Sequence, residues 1–233
     1  MMELPKKPAV RSYRTEFRGN EAPISEGGIW LNGRKNGIDW CDVLMRDGLA
    51  HGEVSRNQMA ERRAEQAALG AGIEGAPVGD YDDPTAVLTG TWGPNQYGRA
   101  RVFTRNQTDK YFQEVQIRLR HNMSAKFCSG YEVFWRCLDT EAGYAEIVRW
   151  NGPVGGWTSL AKLVGKQYGI KDGDIIEASI VGNVITGYLN GVKSISIVDD
   201  NIKTGAPGIG FNFGVGTTNA DHGMRSFEVH TYD

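Results

Sequence analysis

Short apolar or alternating runs, each cut off by glycine, asparagine or proline, recur along this chain and leave room for little besides β-strands. The clearest is DIIEASIVGNVITGYLNGVKSISIV from Asp174. It reads as three strands joined at Gly182-Asn183 and Asn190-Gly191, the second pair being a strong hairpin signal because both turn positions need a positive φ. AVLTGTW from Ala86, GRARVFT from Gly98, YFQEVQIRLRHN from Tyr111, GYEVFWRCL from Gly130, YAEIVRW from Tyr144, GIGFNF from Gly208 and RSFEVHTY from Arg225 continue the series. About a dozen strands at this spacing predict an all-β chain, a two-sheet antiparallel jelly-roll sandwich. The 31 glycines among 233 residues, against a usual share of about 7%, agree with many turns and few helices.

Two segments depart from the β pattern. Residues 1–16 carry two prolines and six charged side chains with little apolar periodicity, so they are expected to form an extended N-terminal arm ahead of one domain over 17–233. SRNQMAERRAEQAALGAG from Ser55 has Gln58 three places after Ser55, a capping-box spacing, followed by strong helix formers. It predicts one helix over about 56–69 inside an insertion of about 55–80. Met59, Ala60, Ala64, Ala67 and Ala68 give that helix only a thin apolar stripe. An arm and an insertion extend an interface beyond a rigid sandwich, so homo-oligomer contacts or neighbouring subunits are expected through them.

Charge excludes several partners. With 26 basic and 28 acidic side chains the chain does not advertise nucleic acid, and nothing in it is long and apolar enough to span a bilayer as a helix. The N-terminus lacks the apolar core of an export signal, so synthesis in the cytoplasm is expected. Cys41, Cys128 and Cys137 have no metal-ligand spacing and read as buried small hydrophobes.

The candidate site comes from parity. In the run from Tyr111, Val115, Ile117 and Leu119 fall on one side of a strand, and Glu114, Gln116, Arg118 and Arg120 on the other. Glu132 and Arg136 on the next strand, and Glu146 on the one after, extend the polar set. Phe112, Trp135, Tyr144 and Trp150 are near enough in sequence to supply aromatic faces. Glycan recognition asks for this combination: rings that stack on sugar, and planar amides, carboxylates and guanidiniums that bond hydroxyls in pairs. The expected ligand-binding set is Glu114, Gln116, Arg118, Glu132, Trp135, Arg136, Tyr144 and Glu146, pointing into an open trough.

FRGNEAPISEGGIW from Phe17, YDDPTAVLTGTWGPNQY from Tyr81, GYEVFWRCLDTEAGYAEIVRWNGPVGGWTSL from Gly130, GDIIEASIVGNVITGYLNGV from Gly173 and GAPGIGF from Gly205 resemble bacterial and bacteriophage members of the concanavalin A-like lectin/glucanase superfamily. The likeness covers about residues 17–232, without the insertion. It implies a jelly roll whose groove binds a glycan chain, in a superfold that hosts lectins, hydrolases, lyases and structural domains alike. Calcium is frequent in the superfamily, and Asp82, Asp83 and Asp221 are the carboxylates at hand, although turn aspartates need no metal to explain them.

The enzymatic alternatives fit less well. Laminarinase-type relatives place their carboxylates on one strand as Glu-x-Asp-x-x-Glu, whereas this chain has Glu114-Val115-Gln116-Ile117-Arg118-Leu119, and one carboxylate cannot act as both nucleophile and acid. Glu132 and Glu146 would supply a partner only by sharing the Glu114 face. RTEFR, Arg14 to Arg18, is similar to a motif of jelly-roll alginate lyases, yet the companion Gln-x-His appears only as Gln116-Ile117-Arg118. If the chain is an enzyme, Glu114, His51 and Arg118 are the catalytic candidates. The expectation is a non-catalytic, lectin-like recognition or assembly module without an obligatory cofactor, suited to a phage virion or other large particle, with a lyase or glycoside hydrolase as the alternative.

Overall fold

The structure is a computed structural model, described for residues 10–33, 40–53, 83–107, 109, 113–124, 127–153, 156–213 and 219–233. Two antiparallel sheets form a sandwich. One runs in the order β14 (Val192–Val198), β13 (Val184–Leu189), β12 (Ile175–Val181), β7 (Asn95–Thr104), β16 (His222–Tyr232), β5 (Leu49–Glu53), β4 (Asp42–Arg46) and β2 (Asn20–Glu21), with β1 (Arg11–Thr15) also on β16. The other runs β11 (Trp157–Val164), β10 (Tyr144–Pro153), β9 (Phe127–Arg136), β8 (Gln113–Ser124), β15 (Ala206–Phe213), β6 (Thr85–Leu88) and β3 (Trp30–Asn32). Helical structure among the described residues is two short 3-10 turns, Lys166–Tyr168 and Asn219–Asp221. No described helix is long and apolar enough to cross a membrane.

The hairpins form where the turn chemistry puts them. β12 folds back on β13 with Val181 opposite Val184, and β13 on β14 with Leu189 opposite Val192. Asn190 and Gly191 both take positive φ, 52° and 79°, as a tight turn matched to strand twist requires. The stretch read as an arm enters the sheet early: Arg11–Thr15 pairs with the second half of β16, beyond the point where β5 meets it at Met224. The insertion, its expected helix and residues 1–9 of the arm lie outside the described residues.

The core is built by one parity of each central strand. Val115, Ile117 and Leu119 of β8 and Tyr131, Val133 and Trp135 of β9 pack with Ala145 and Ile147 of β10 against Ala100, Val102, Ile176, Ala178, Ile180, Phe227 and Val229 of the opposite sheet. Trp135 is therefore a core residue, a correction to its expected place among the ligand contacts. On β9 its parity is that of Val133, and the side chains facing away from the core are Glu132, Phe134 and Arg136. Gly187 makes room for it, since a Cβ there would lie 3.0 Å from the indole. The cysteines are free and buried.

One arginine fastens an end of the sandwich. β8 carries a register shift between Leu119 and Asn122, and within it Arg120 sits at φ 47°. Its guanidinium donates to the carbonyls of Pro94, Ile202 and Gly182 at 2.7, 2.9 and 2.7 Å.

Candidate functional site

The outward face of the seven-stranded sheet is assembled by register. One line across it reads Asn212, Glu114, Arg136; the next Gly210, Gln116, Phe134, Glu146, Lys162; the third Gly208, Arg118, Glu132, Val148, Ser159. Glu114, Glu132 and Glu146 thus share a face, the condition the sequence left open. The glycines of GIG on β15 have a steric cause here. A Cβ on Gly210 would fall 2.2 Å from Gln116 Oε1 and 2.7 Å from Arg118 Nε, so both long side chains lie flat across β15.

The middle of this face is not open to solvent. Arg118 and Gln116 are 0% exposed, which corrects the expectation that both point into a trough. The Arg118 guanidinium bonds Glu132 at 2.9 Å and Gln116 Oε1 at 2.8 Å, with Asp83 at 3.6 Å. Trp40 and Trp150 stand over it, 5.4 and 5.5 Å from ring centre to guanidinium carbon, and pack edge to face on each other at 4.8 Å. With Cys128, Phe134 and Val148 they form a second, smaller apolar cluster on this side of the sheet. A desolvated guanidinium between aromatic rings needs its carboxylates to offset the loss of water. Arg118 is a positioning residue here, holding Glu132, which also accepts from Trp150 Nε1 at 2.7 Å. His121 accepts from Arg118 and lies 2.8 Å from Cys128 Sγ; burial and the neighbouring cation hold its pKa well below the usual histidine value.

Beside this wall a cleft of about 160 Å3 opens. Phe134, Val148, Trp150 and Trp157 supply apolar surface, and Asp83, Glu114, Glu132, Glu146, Lys162 and Asn212 bring polar groups to it. Glu146 is held by Ser159 Oγ at 2.6 Å and Lys162 Nζ at 2.7 Å. Glu114 accepts a short bond from the Tyr144 hydroxyl. Lys162 lies over the Tyr144 ring at 4.1 Å. Arg136, opposite Glu114, donates to the carbonyls of Ala142 and Asp109. A wider depression of about 620 Å3 lies elsewhere, around Leu31, Trp92 and Met123, with no carboxylate or lysine among its described lining.

Burial pushes the Glu114 carboxyl up to about 7, with Glu132 and Glu146 adding to the rise and the Tyr144 bond opposing it. Its stabilising contribution is present below the ordinary carboxylate range and is lost as pH rises through about 7. The buried His121 and His222, whose pKa values are lowered, act in the opposite sense, losing stability as pH falls. The difference between the native chain and Glu114→Gln isolates the carboxyl. Urea unfolding across this range is expected to show the variant gaining on the native chain as pH rises, and a pH-independent difference would refute the assignment.

Of the remaining candidates, Asp83 lines the cleft, and His51 and Asp221 lie apart from it. His51 is on β5 in the other sheet, bonded to its neighbour's carbonyl at Gly52. Asp83 is drawn to Arg118, and Asp221 is bonded by Arg105 at 2.9 Å. Among the described residues no group of three or more His, Cys, Asp or Glu could hold a metal ion; Asp82 and Phe112 are outside them. Phe134, Trp157, Lys162 and Asn212 were not anticipated. Parity pointed to Phe134, which alternates with Glu132 and Arg136, but a register shift between Ile147 and Val148 hides which β11 residues join the face.

No family model matches this chain, and no curated protein matches it significantly. Solved structures do. The carbohydrate binding module CBM66 from Bacillus subtilis aligns with TM-score 0.53 at 10% identity over 90% of this chain and 96% of its own. The beta-glucanase of Bacillus licheniformis aligns with TM-score 0.54 at 9% over 95% and 98%. The metal-free exoplasmic/lumenal domain of VIP36 gives 0.53 at 9% over 95% and 92%. At these identities the likeness is one of fold, the concanavalin A-like jelly roll.

Proposed function

We propose that this concanavalin A-like jelly roll is a non-catalytic carbohydrate-binding module that takes its sugar in the cleft beside the Arg118 wall. The observation that carries this reading is the make-up of the cleft, in which Phe134, Trp150 and Trp157 meet Glu114, Glu146, Lys162 and Asn212. A sugar ring has an apolar face for aromatic stacking and a rim of hydroxyls for paired hydrogen bonds, and convergent polar groups on an apolar floor suit both. The carbohydrate-related proteins that share the fold agree with this without deciding it. Trp157, partly exposed at the rim, is the natural platform. Trp157→Ala is expected to weaken glycan affinity about tenfold or more by calorimetry, while Arg14→Ala on the other sheet leaves it unchanged. Equal affinity in all three proteins would refute the cleft as the site.

A second reading, glycoside hydrolysis, is favoured by one observation: a carboxyl raised to about 7, Glu114, lies on the same face as Glu132 and Glu146, both held by cations. Release of reducing ends from a polysaccharide, abolished in Glu114→Gln, would replace the binding reading with this one. A lyase finds less support, because His51 is on the other sheet. The narrower proposal of a subunit in a virion or other particle rests on the arm and the insertion, of which residues 1–9 and 54–82 lie outside those described.

A further inference from the structure

Among the described residues the lining of the cleft is unbalanced in charge. Four carboxylates line it, Asp83, Glu114, Glu132 and Glu146, and Lys162 is the one cation lining it among the described residues. Arg118 lies beneath, 0% exposed, with Glu132 and Asp83 as its partners. Lys162 is bound to Glu146. Glu114 has a phenol for its described side-chain partner in the cleft, not an ammonium.

We infer that the cleft selects its sugar by charge, preferring a ring that bears a protonated amine over the same ring acetylated, and either over a uronate. This rests on the sugar-binding reading above. The reasoning is electrostatic. A uronate brings a further carboxylate into a partly desolvated space already lined by four, where like charges repel and the cations are taken. An acetamide or hydroxyl offers donors to the carboxylates but no charge. An ammonium offers three donors and a full charge, and these charge-assisted bonds are the strong ones. The aromatic face of Trp157, partly exposed, adds attraction for a cation lying over it.

Glu114 is the residue on which the preference turns. The groups facing it are Glu132 and Arg136 on β9, Tyr144 and Glu146 on β10 and Lys162 on β11, with Asn212 on β15 uncharged. Its carboxyl, raised to about 7, holds a proton for part of the time at neutral pH. An incoming ammonium stabilises the carboxylate, so binding near neutral pH is coupled to release of that proton. A neutral sugar gives no such coupling.

Three oligosaccharides of equal length separate the outcomes: glucosamine oligomers, their N-acetylated counterparts with the same ring and linkage, and galacturonate oligomers. Calorimetry near neutral pH is expected to rank them in that order, with about a tenfold gap between the first two. Added salt narrows that gap. At a pH low enough that the sugar amine is itself fully protonated, buffers of different ionisation enthalpy report proton release with the amine alone, and Glu114→Gln, near-isosteric and still able to accept from Tyr144, removes both the release and most of the gap. Acetylated oligomers binding as tightly as the amine, or galacturonate binding best, overturn the inference while leaving the sugar site in place. Binding of none of the three or of any glycan overturns the sugar-binding reading, and the inference with it.

Discussion

Arg118→Met is expected to lose about 3–5 kcal/mol of unfolding free energy. The substitution keeps length and apolar bulk between Trp40 and Trp150, so the loss does not come from an empty space. It comes from Glu132, 2% exposed, and Asp83, 3% exposed, which are left without their shared cation. Urea unfolding at neutral pH measures it. The double variant Arg118→Met/Glu132→Gln, which removes one of the two carboxylate charges together with their shared cation, is expected to recover part of the loss. If Arg118→Met unfolds like the native chain, the guanidinium is not the counter-charge of the buried carboxylates.

Trp135→Ala is expected to cost about 3–5 kcal/mol by the same measurement, through the cavity left between the sheets. The indole is fully buried and lies against Gly187 of β13, which has no side chain to move into the space. Trp135→Phe costs less, because it keeps an aromatic ring and deletes an indole N–H that has no hydrogen-bond partner. The contrast with Trp157→Ala is diagnostic. One tryptophan changes stability and leaves the cleft groups in place; the other changes glycan affinity with little effect on folding. Were Trp135→Ala to fold with native stability and lose binding, the parity of β9 would be reversed and the whole cleft with it.

The fold was legible because strand turns are written locally. Asn190-Gly191 and Gly182-Asn183 fix hairpins by backbone chemistry alone, and alternation in Val115, Ile117 and Leu119 names the inward face. The site was legible only as a set of positions on three strands. Glu114, Glu132 and Glu146 share a face because register aligns β8, β9 and β10, and register is a property of pairs of strands, not of either sequence. Depth was less legible still. Gln116 and Arg118 read as wet because they are polar, yet the cover comes from Trp40 and Trp150, of which Trp40 is 78 positions away from Arg118 along the chain. Trp135 has the inward parity of Val133, and ring chemistry alone does not separate a core aromatic from a sugar platform.

Arg120 has a mechanical consequence. Gly182 belongs to the β12–β13 turn and Pro94 leads into β7, both on the nine-stranded sheet, while Ile202 lies on the crossing from β14 to β15 and Arg120 itself on the seven-stranded one. One planar side chain thus rivets the two layers together at that rim. Sliding of one layer over the other at that rim therefore requires the loss of all three bonds at once.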